Sequence, residues 1–148
     1  MRSAAIYVLK DRVLLHPWQK TTVGLGISSE PYTTLPADAS NLRLGEALLA
    51  VLSASGQTVP HPQSWESVAK PRLDAAGVKS EKAFHSNTKS VTVDWQDDSL
   101  HFEPTRNGGA SGPDKGFHPL SNSRVTVAAG MGAEAIGSAV KSALRGCL

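Results

Sequence analysis

Asp94, His101 and Glu103 are the residues whose types and spacing could do chemistry together. They stand on two β-prone runs, Lys89–Trp95 and Leu100–Pro104, around the turn Gln96-Asp97-Asp98-Ser99. Alternation points Val91, Val93 and Trp95 one way and Thr92 and Asp94 the other. On the return, Leu100 and Phe102 face the core, while His101 and Glu103 face out. An Asp-His-Glu set can hold a metal ion or move protons. The competing reading is a solvated sheet face, and it weighs more, because no third element can be placed over the three residues.

The remaining chemistry is thinner still. The five histidines show no ligand spacing, and His16, His61 and His118 each precede a proline, which points to strand ends and turns. A nucleophile elbow, an HExxH motif and a P-loop are all missing from the sequence. The run GGASGPDKG has the composition of a phosphate cradle without its GK[ST] ending and reads as part of a mobile loop, Thr105–Gly116. Cys147 is the single cysteine, so no internal disulfide can form; so near the C-terminus it is expected to be a frayed-end thiol. Trp95 falls on the apolar face of its strand. Trp18 and Trp65, in or near loops, remain open as binding anchors. With Lys20, Arg106 and Lys115 they would make a platform for single-stranded nucleic acid, but a thin one. No catalytic, cofactor-binding or metal-ligating residue is assigned from these patterns.

The elements that must position these residues follow from periodicity. Ala4–Leu9 and Val13–His16 form a hairpin around Lys10-Asp11-Arg12, apolar on both faces and therefore central. Val23–Ile27 and Tyr32–Leu35 are short strands around Ser28-Ser29-Glu30-Pro31. A helix follows, capped by Ser40 or Asn41. Its stripe is Leu44, Leu48, Val51 and Leu52, each contributing roughly 1.5–3 kcal/mol on burial. Gly56 ends it. Val59-Pro60-His61-Pro62 is a linker, because proline removes donors and fixes φ. Ser64 caps a second helix that runs to about Ala76, with Pro71 a point where it could kink or split, and stops at Gly77, with a short turn of helix near Ser80–Phe84. Phe117–Leu120 and Arg124–Val127 are the last strands, and the final helix carries Ile136, Val140 and Leu144.

This order is written twice. RLGEALLAVL at Arg43–Leu52 and AIGSAVKSAL at Ala135–Leu144 are the same amphipathic phrase. At one offset Gly24 meets Gly116, Thr34 meets Thr126, Ala37 meets Ala129, Gly45 meets Gly137, Ala47 meets Ala139 and Leu52 meets Leu144. Upstream the offset shortens, so that Pro17 meets Pro104, and the difference falls in the loop before the third strand. The expectation is one α+β domain over residues 1–148, built from two ββββα-like repeats of mostly antiparallel sheet with helices packed on it. Repeat one spans about 4–56, a linker and middle helix about 57–87, and repeat two about 88–146. A single such unit leaves a sheet face uncovered; two can cover each other. Gly45 and Gly137 would let each helix approach a neighbouring backbone.

Composition fits a folded globule: 148 residues, 40% hydrophobic and 19% charged. A net charge of +2 is too mild to announce nucleic acid. The first apolar run stops at Leu9, before Lys10, Asp11 and Arg12, so the N-terminus is not read as a signal peptide, and no run reaches membrane-spanning length. A cytoplasmic protein with no membrane partner is expected.

Seven phrases stand in order along the chain: TTVGLGISSEP at Thr21–Pro31, LGEALLAVLSAS at Leu44–Ser55, VPHPQSW at Val59–Trp65, AGVKS at Ala76–Ser80, KSVTV at Lys89–Val93, PTRNGG at Pro104–Gly109 and GFHPL at Gly116–Leu120. Together they resemble the CdiI-type immunity proteins of bacterial contact-dependent growth inhibition. The resemblance implies a non-enzymatic cytoplasmic protein that binds and neutralises the C-terminal toxin domain of its own strain's CdiA-type effector. Such toxins are frequently nucleases, often directed at tRNA. It supplies no contact residues. Charge complementarity to a basic, RNA-binding cleft points to Asp94, Asp97, Asp98 and Glu103, with Glu30 from the first half, and to Arg106 and Lys115 in the loop that could block access. The repeat order also resembles the Whirly and PUR-type architecture, which makes a single-stranded nucleic-acid binder the alternative. An uncovered edge strand would permit a homodimer.

Overall fold

The computed structural model describes residues 2–148. Strands β1 (Arg2–Val8) and β2 (Arg12–Thr21) form the first hairpin, followed by β3 (Gly26–Ser28), β4 (Thr33–Pro36) and helix α1 (Asn41–Ser53). Strand β5 (Thr58–Val59), α2 (Trp65–Ala76) and α3 (Glu81–His85) form the middle of the chain. The second half runs β6 (Lys89–Gln96), β7 (Ser99–Asn107), β8 (Phe117–Pro119), β9 (Val125–Ala128) and α4 (Ala133–Arg145). The chain is therefore α+β, with its strands joined in one sheet of order β3-β2-β1-β6-β7-β8.

The two hairpins meet at the middle of the sheet, where β1 and β6 pair antiparallel with Ala4 opposite Val93 and Ile6 opposite Val91. Strand β2 is long enough to serve two short partners: β4 pairs with its first half and β3 with its second. Strand β7 does the same with β9 and β8. β5 adds a two-residue parallel bridge to the end of β2.

One face of the sheet carries the main core. Ile6, Leu15, Val91, Val93, Leu100 and Phe102 lie beneath Leu44, Leu48, Val51 and Leu52 of α1 and Ile136 and Val140 of α4. The apolar stripes read from the sequence thus face the sheet, and α1 packs on α4. Ser40 caps α1, its Oγ accepting from the Arg43 amide at 3.2 Å.

On the opposite face α2 and α3 cover the first hairpin and reach the second half only at the far end of its hairpin. There His85 stacks on Phe117 of β8, and the His85 carbonyl accepts from Asn107 Nδ2 at 2.7 Å. A second cluster there joins Ala5, Tyr7, Leu9 and Leu14 to Ala76 and Phe84. Ser64 caps α2 and Gly77 ends it at φ 75°, and Pro71 sits inside the helix without breaking it.

Several sequence expectations need correcting. β2 runs on to Thr21, so Trp18 lies within a strand and packs, part-buried, on the second cluster. The third strand begins only at Gly26, leaving Val23 and Leu25 exposed. The segment taken as a mobile loop opens with three residues of β7, and two backbone bonds then tie it, Gly108 N–H to Gly116 O and Gly116 N–H to Gly109 O. The C-terminus is anchored as well: Leu148 donates to Thr105 O, and Asn107 donates to Leu148 O. Cys147 is consequently buried, with its thiol 3.3 Å from the Ser90 carbonyl.

Candidate functional site

The uncovered part of the sheet's second face belongs to β6, β7 and β9. In the first hairpin Tyr7 stands opposite Leu14; at the same register of the second, Asp94 stands opposite His101. Glu103 likewise takes the place that His16 has in the first. The first pair of positions holds a buried aromatic network beneath α2 and α3. The second holds charge, because no helix covers it.

The buried network is closed on itself. The His16 ring is fully buried; Nδ1–H donates to the Pro17 carbonyl at 2.9 Å, leaving Nε2 to accept from the Tyr7 hydroxyl at 3.2 Å. Burial pushes the His16 pKa down to about 4 and that of Tyr7 up to about 12. His16 is thus a structural, neutral histidine at ordinary pH.

The open face is a linked set of polar groups. Glu103 accepts from Arg124 of the β8–β9 connection, at 2.7 Å from Nη2 and 3.2 Å from Nε. His101 Nδ1 lies 3.1 Å from Thr126 Oγ1 on β9. Asp94 is half-buried. Its pKa is raised, first by that burial and then by the Glu103 charge, against smaller opposing effects of Arg124 and His101. Among the described residues no group of three His, Cys, Asp or Glu side chains is placed to hold a metal. His101 and Glu103 are instead engaged by Thr126 and Arg124.

At the tip of this hairpin Asp97 (φ 53°) and Asp98 make the turn, both exposed. Trp95 packs part-buried against the main core and donates its indole N–H to Asp97 O at 3.0 Å, which holds the tip against the strand. Asp94, Asp97, Asp98 and Glu103 therefore share one hairpin. Glu30 does not join them: it lies in the β3–β4 turn of the other half, and the turn that answers to Asp97-Asp98 in the element order is Lys10-Asp11. Arg106 is taken up by Asp114, at 2.5 and 2.9 Å, which also holds the Asp114 carboxyl below the usual carboxylate range. Lys115 is exposed in the same loop.

A second concave site escaped the sequence reading. Between α2, α3 and the β2–β3 edge lies a cleft of about 360 Å³. Its signal was hidden because α2 buries only Ala76 and so shows no apolar stripe that would have told which sheet face it crosses. No helix among the described residues is long and apolar enough to cross a membrane.

Against known proteins, a family model described as CdiI, CDI immunity protein, matches residues 2–147. No curated protein matches. Two solved structures share the fold. One is a protein of unknown function, NMB0488, from Neisseria meningitidis, with TM-score 0.79 and 19% identity over 99% of this chain and 95% of that one. The other is a chain of the CdiA-CT/CdiI toxin and immunity complex from Yersinia pseudotuberculosis, with TM-score 0.77 and 17% identity over 99% of this chain and 97% of that one.

Proposed function

Because the chain belongs to the CdiI family of CDI immunity proteins, we propose that it binds and neutralises the cognate C-terminal toxin domain of a CdiA-type effector in the cytoplasm, without turning over any substrate. The match of the family over residues 2–147 carries this reading. A similar fold in a toxin and immunity complex supports it. The toxin is a nuclease in this reading, with tRNA as the first substrate to test.

Neutralisation needs a complementary surface of about 800 Å² per partner and a few desolvated anchors. The β6–β7 hairpin offers one: a polar sheet face that no helix covers, ending in the two exposed carboxylates Asp97 and Asp98. Such a surface suits the basic cleft of an RNA-cutting enzyme, and its charge would speed encounter. Arg106, Lys115 and Glu30 flank other parts of the molecule and are secondary contacts in this proposal. The reading also takes the chain as one domain of two ββββα units in Whirly/PUR-like order. The paired hairpins support that, while the middle helices depart from it by covering mainly the first unit.

The experiment is co-expression with the toxin domain encoded beside it. Rescued growth and co-purification of the pair support the proposal; growth arrest despite expression of the folded protein refutes it. The alternative, a single-strand binder, instead requires salt-sensitive association with oligonucleotides.

A further inference from the structure

We propose that the cleft beneath α2 receives a tyrosine side chain of the bound toxin; this rests on the immunity reading above. At about 360 Å³ the cleft lies at the low end of small-ligand pockets, roughly 300–1,000 Å³. It has room for a ring, not for an element of structure. Its walls are aromatic: Tyr7, Trp18, Phe84 and Phe117 line it from the sheet and α3, and Trp65, 55% exposed, stands at its α2 side. His85 stacks on Phe117 with ring centroids 4.9 Å apart.

The charged part of the lining is one ion pair, beside the polar Ser28 and His85. Arg72 Nη2 lies 2.6 Å from Glu81 Oε1, and the guanidinium carbon stands 4.3 Å from the Phe84 ring centroid. The Arg72 side chain is only 13% exposed, yet this is the single hydrogen bond it forms among the described residues. A guanidinium has five N–H donors. Most of them therefore have no protein acceptor and turn to solvent within the cleft, none being a fully buried unpaired atom.

The charges decide the occupant. An anion would meet Glu81, and a cation would meet Arg72. A purely apolar ring would cover those donors without offering an acceptor, at about 1–3 kcal/mol for each one it takes from water. A phenol satisfies all three constraints: it is neutral, its oxygen accepts from Arg72, its O–H donates to Glu81, and its ring fills an aromatic slot. In a protein partner that group is tyrosine, a residue enriched among interface anchors.

Two titrations test this. Isotope-labelled full-length protein is titrated with 4-methylphenol, toluene and adenosine, reading the indole N–H resonances of Trp18 and Trp65. The proposal expects saturable shifts with 4-methylphenol at concentrations at least fivefold below those needed for toluene or adenosine. Equal response to toluene, stronger response to adenosine, or no shift at all overturns it. The wild type and Trp65→Ala are then titrated with the toxin domain. Binding weakened tenfold or more by Trp65→Ala supports the slot. Equal binding by both proteins overturns the slot and leaves the immunity reading standing. Failure of the wild type itself to bind removes that reading, and the slot's occupant with it.

Discussion

Gly45 and Gly137 each lie against the backbone of the other's helix. A Cβ on Gly45 would stand 1.7 Å from the Ala133 carbonyl oxygen, and one on Gly137 would stand 1.8 Å from that of Asn41. Asn41 and Ala133 are each four residues ahead of their own helix's glycine, so the approach of α1 and α4 is reciprocal. Neither glycine has a positive φ; what matters at both positions is the missing side chain. The contact obstructed would be backbone, which cannot swing aside.

Gly137→Leu should therefore separate α4 from α1 and cost about 3 kcal/mol or more, at the upper end of overpacking effects. Ser138→Leu, one residue on and exposed, should change stability by less than about 0.5 kcal/mol. Thermal melts of the two variants check this; equal melting temperatures would contradict the packing described.

His16 gives the fold a pH dependence with a definite sign. Its folded pKa of about 4 lies below the unfolded value near 6.5, so between those values the unfolded chain binds more protons. The stability it contributes is fully present above pH 6.5 and is lost as pH falls toward 4, on the order of 3 kcal/mol in all. Denaturant melts from pH 7 to pH 4 should show the slope. His16→Gln, which keeps a polar group beside the Tyr7 hydroxyl, should flatten it across that window whatever its effect at pH 7.

Asp94 has the opposite sign. Burial and the Glu103 charge raise its folded pKa, so the ionised carboxylate disfavours the fold at neutral pH, and the penalty fades as acid protonates it. Asp94→Asn should raise the melting temperature at pH 7, with the gain shrinking as pH falls through the carboxylate range. A charge retained at a cost in stability is what a binding face would show. A lower melting temperature for Asp94→Asn at pH 7 would remove that argument.

Reversing the hairpin tip tests the proposed toxin face. Asp97 and Asp98 are both exposed, so the double variant Asp97→Lys/Asp98→Lys should fold, with a small drop in melting temperature because Lys is less at ease than Asp at the left-handed φ of 53°. Its affinity for the toxin domain should fall tenfold or more, mainly through slower association at low salt. Unchanged affinity would take this surface off the toxin.

The elements most legible in the sequence were those with a strong period. The stripe Leu44, Leu48, Val51, Leu52 named the buried face of α1, and the alternation through Val91 and Val93 named the core face of β6. The glycine pair was legible as an offset between two phrases before any geometry was known. What stayed hidden lacked a local pattern. α2 docks through Ala76 with Leu73 and Ala75 part-buried beside it, too narrow a contact for its own sequence to mark a sheet face. The cleft needed Arg72, Glu81 and Phe117 from three separate segments. The C-terminal thiol is buried by contacts distant in sequence, the pairing of Leu148 with β7 and the Ser90 carbonyl, which no local pattern announces. The hairpin carboxylates were visible as a face, but Glu30 was joined to them only by charge, and the topology sets it on the other half.

The most direct test of toxin capture is a calorimetric titration of the purified protein into the purified toxin domain, with toxin activity followed in the same mixtures. The account predicts saturable one-to-one binding, with activity disappearing in proportion to complex formed. No binding heat at any temperature tried, with the toxin fully active beside an excess of the folded protein, would contradict it.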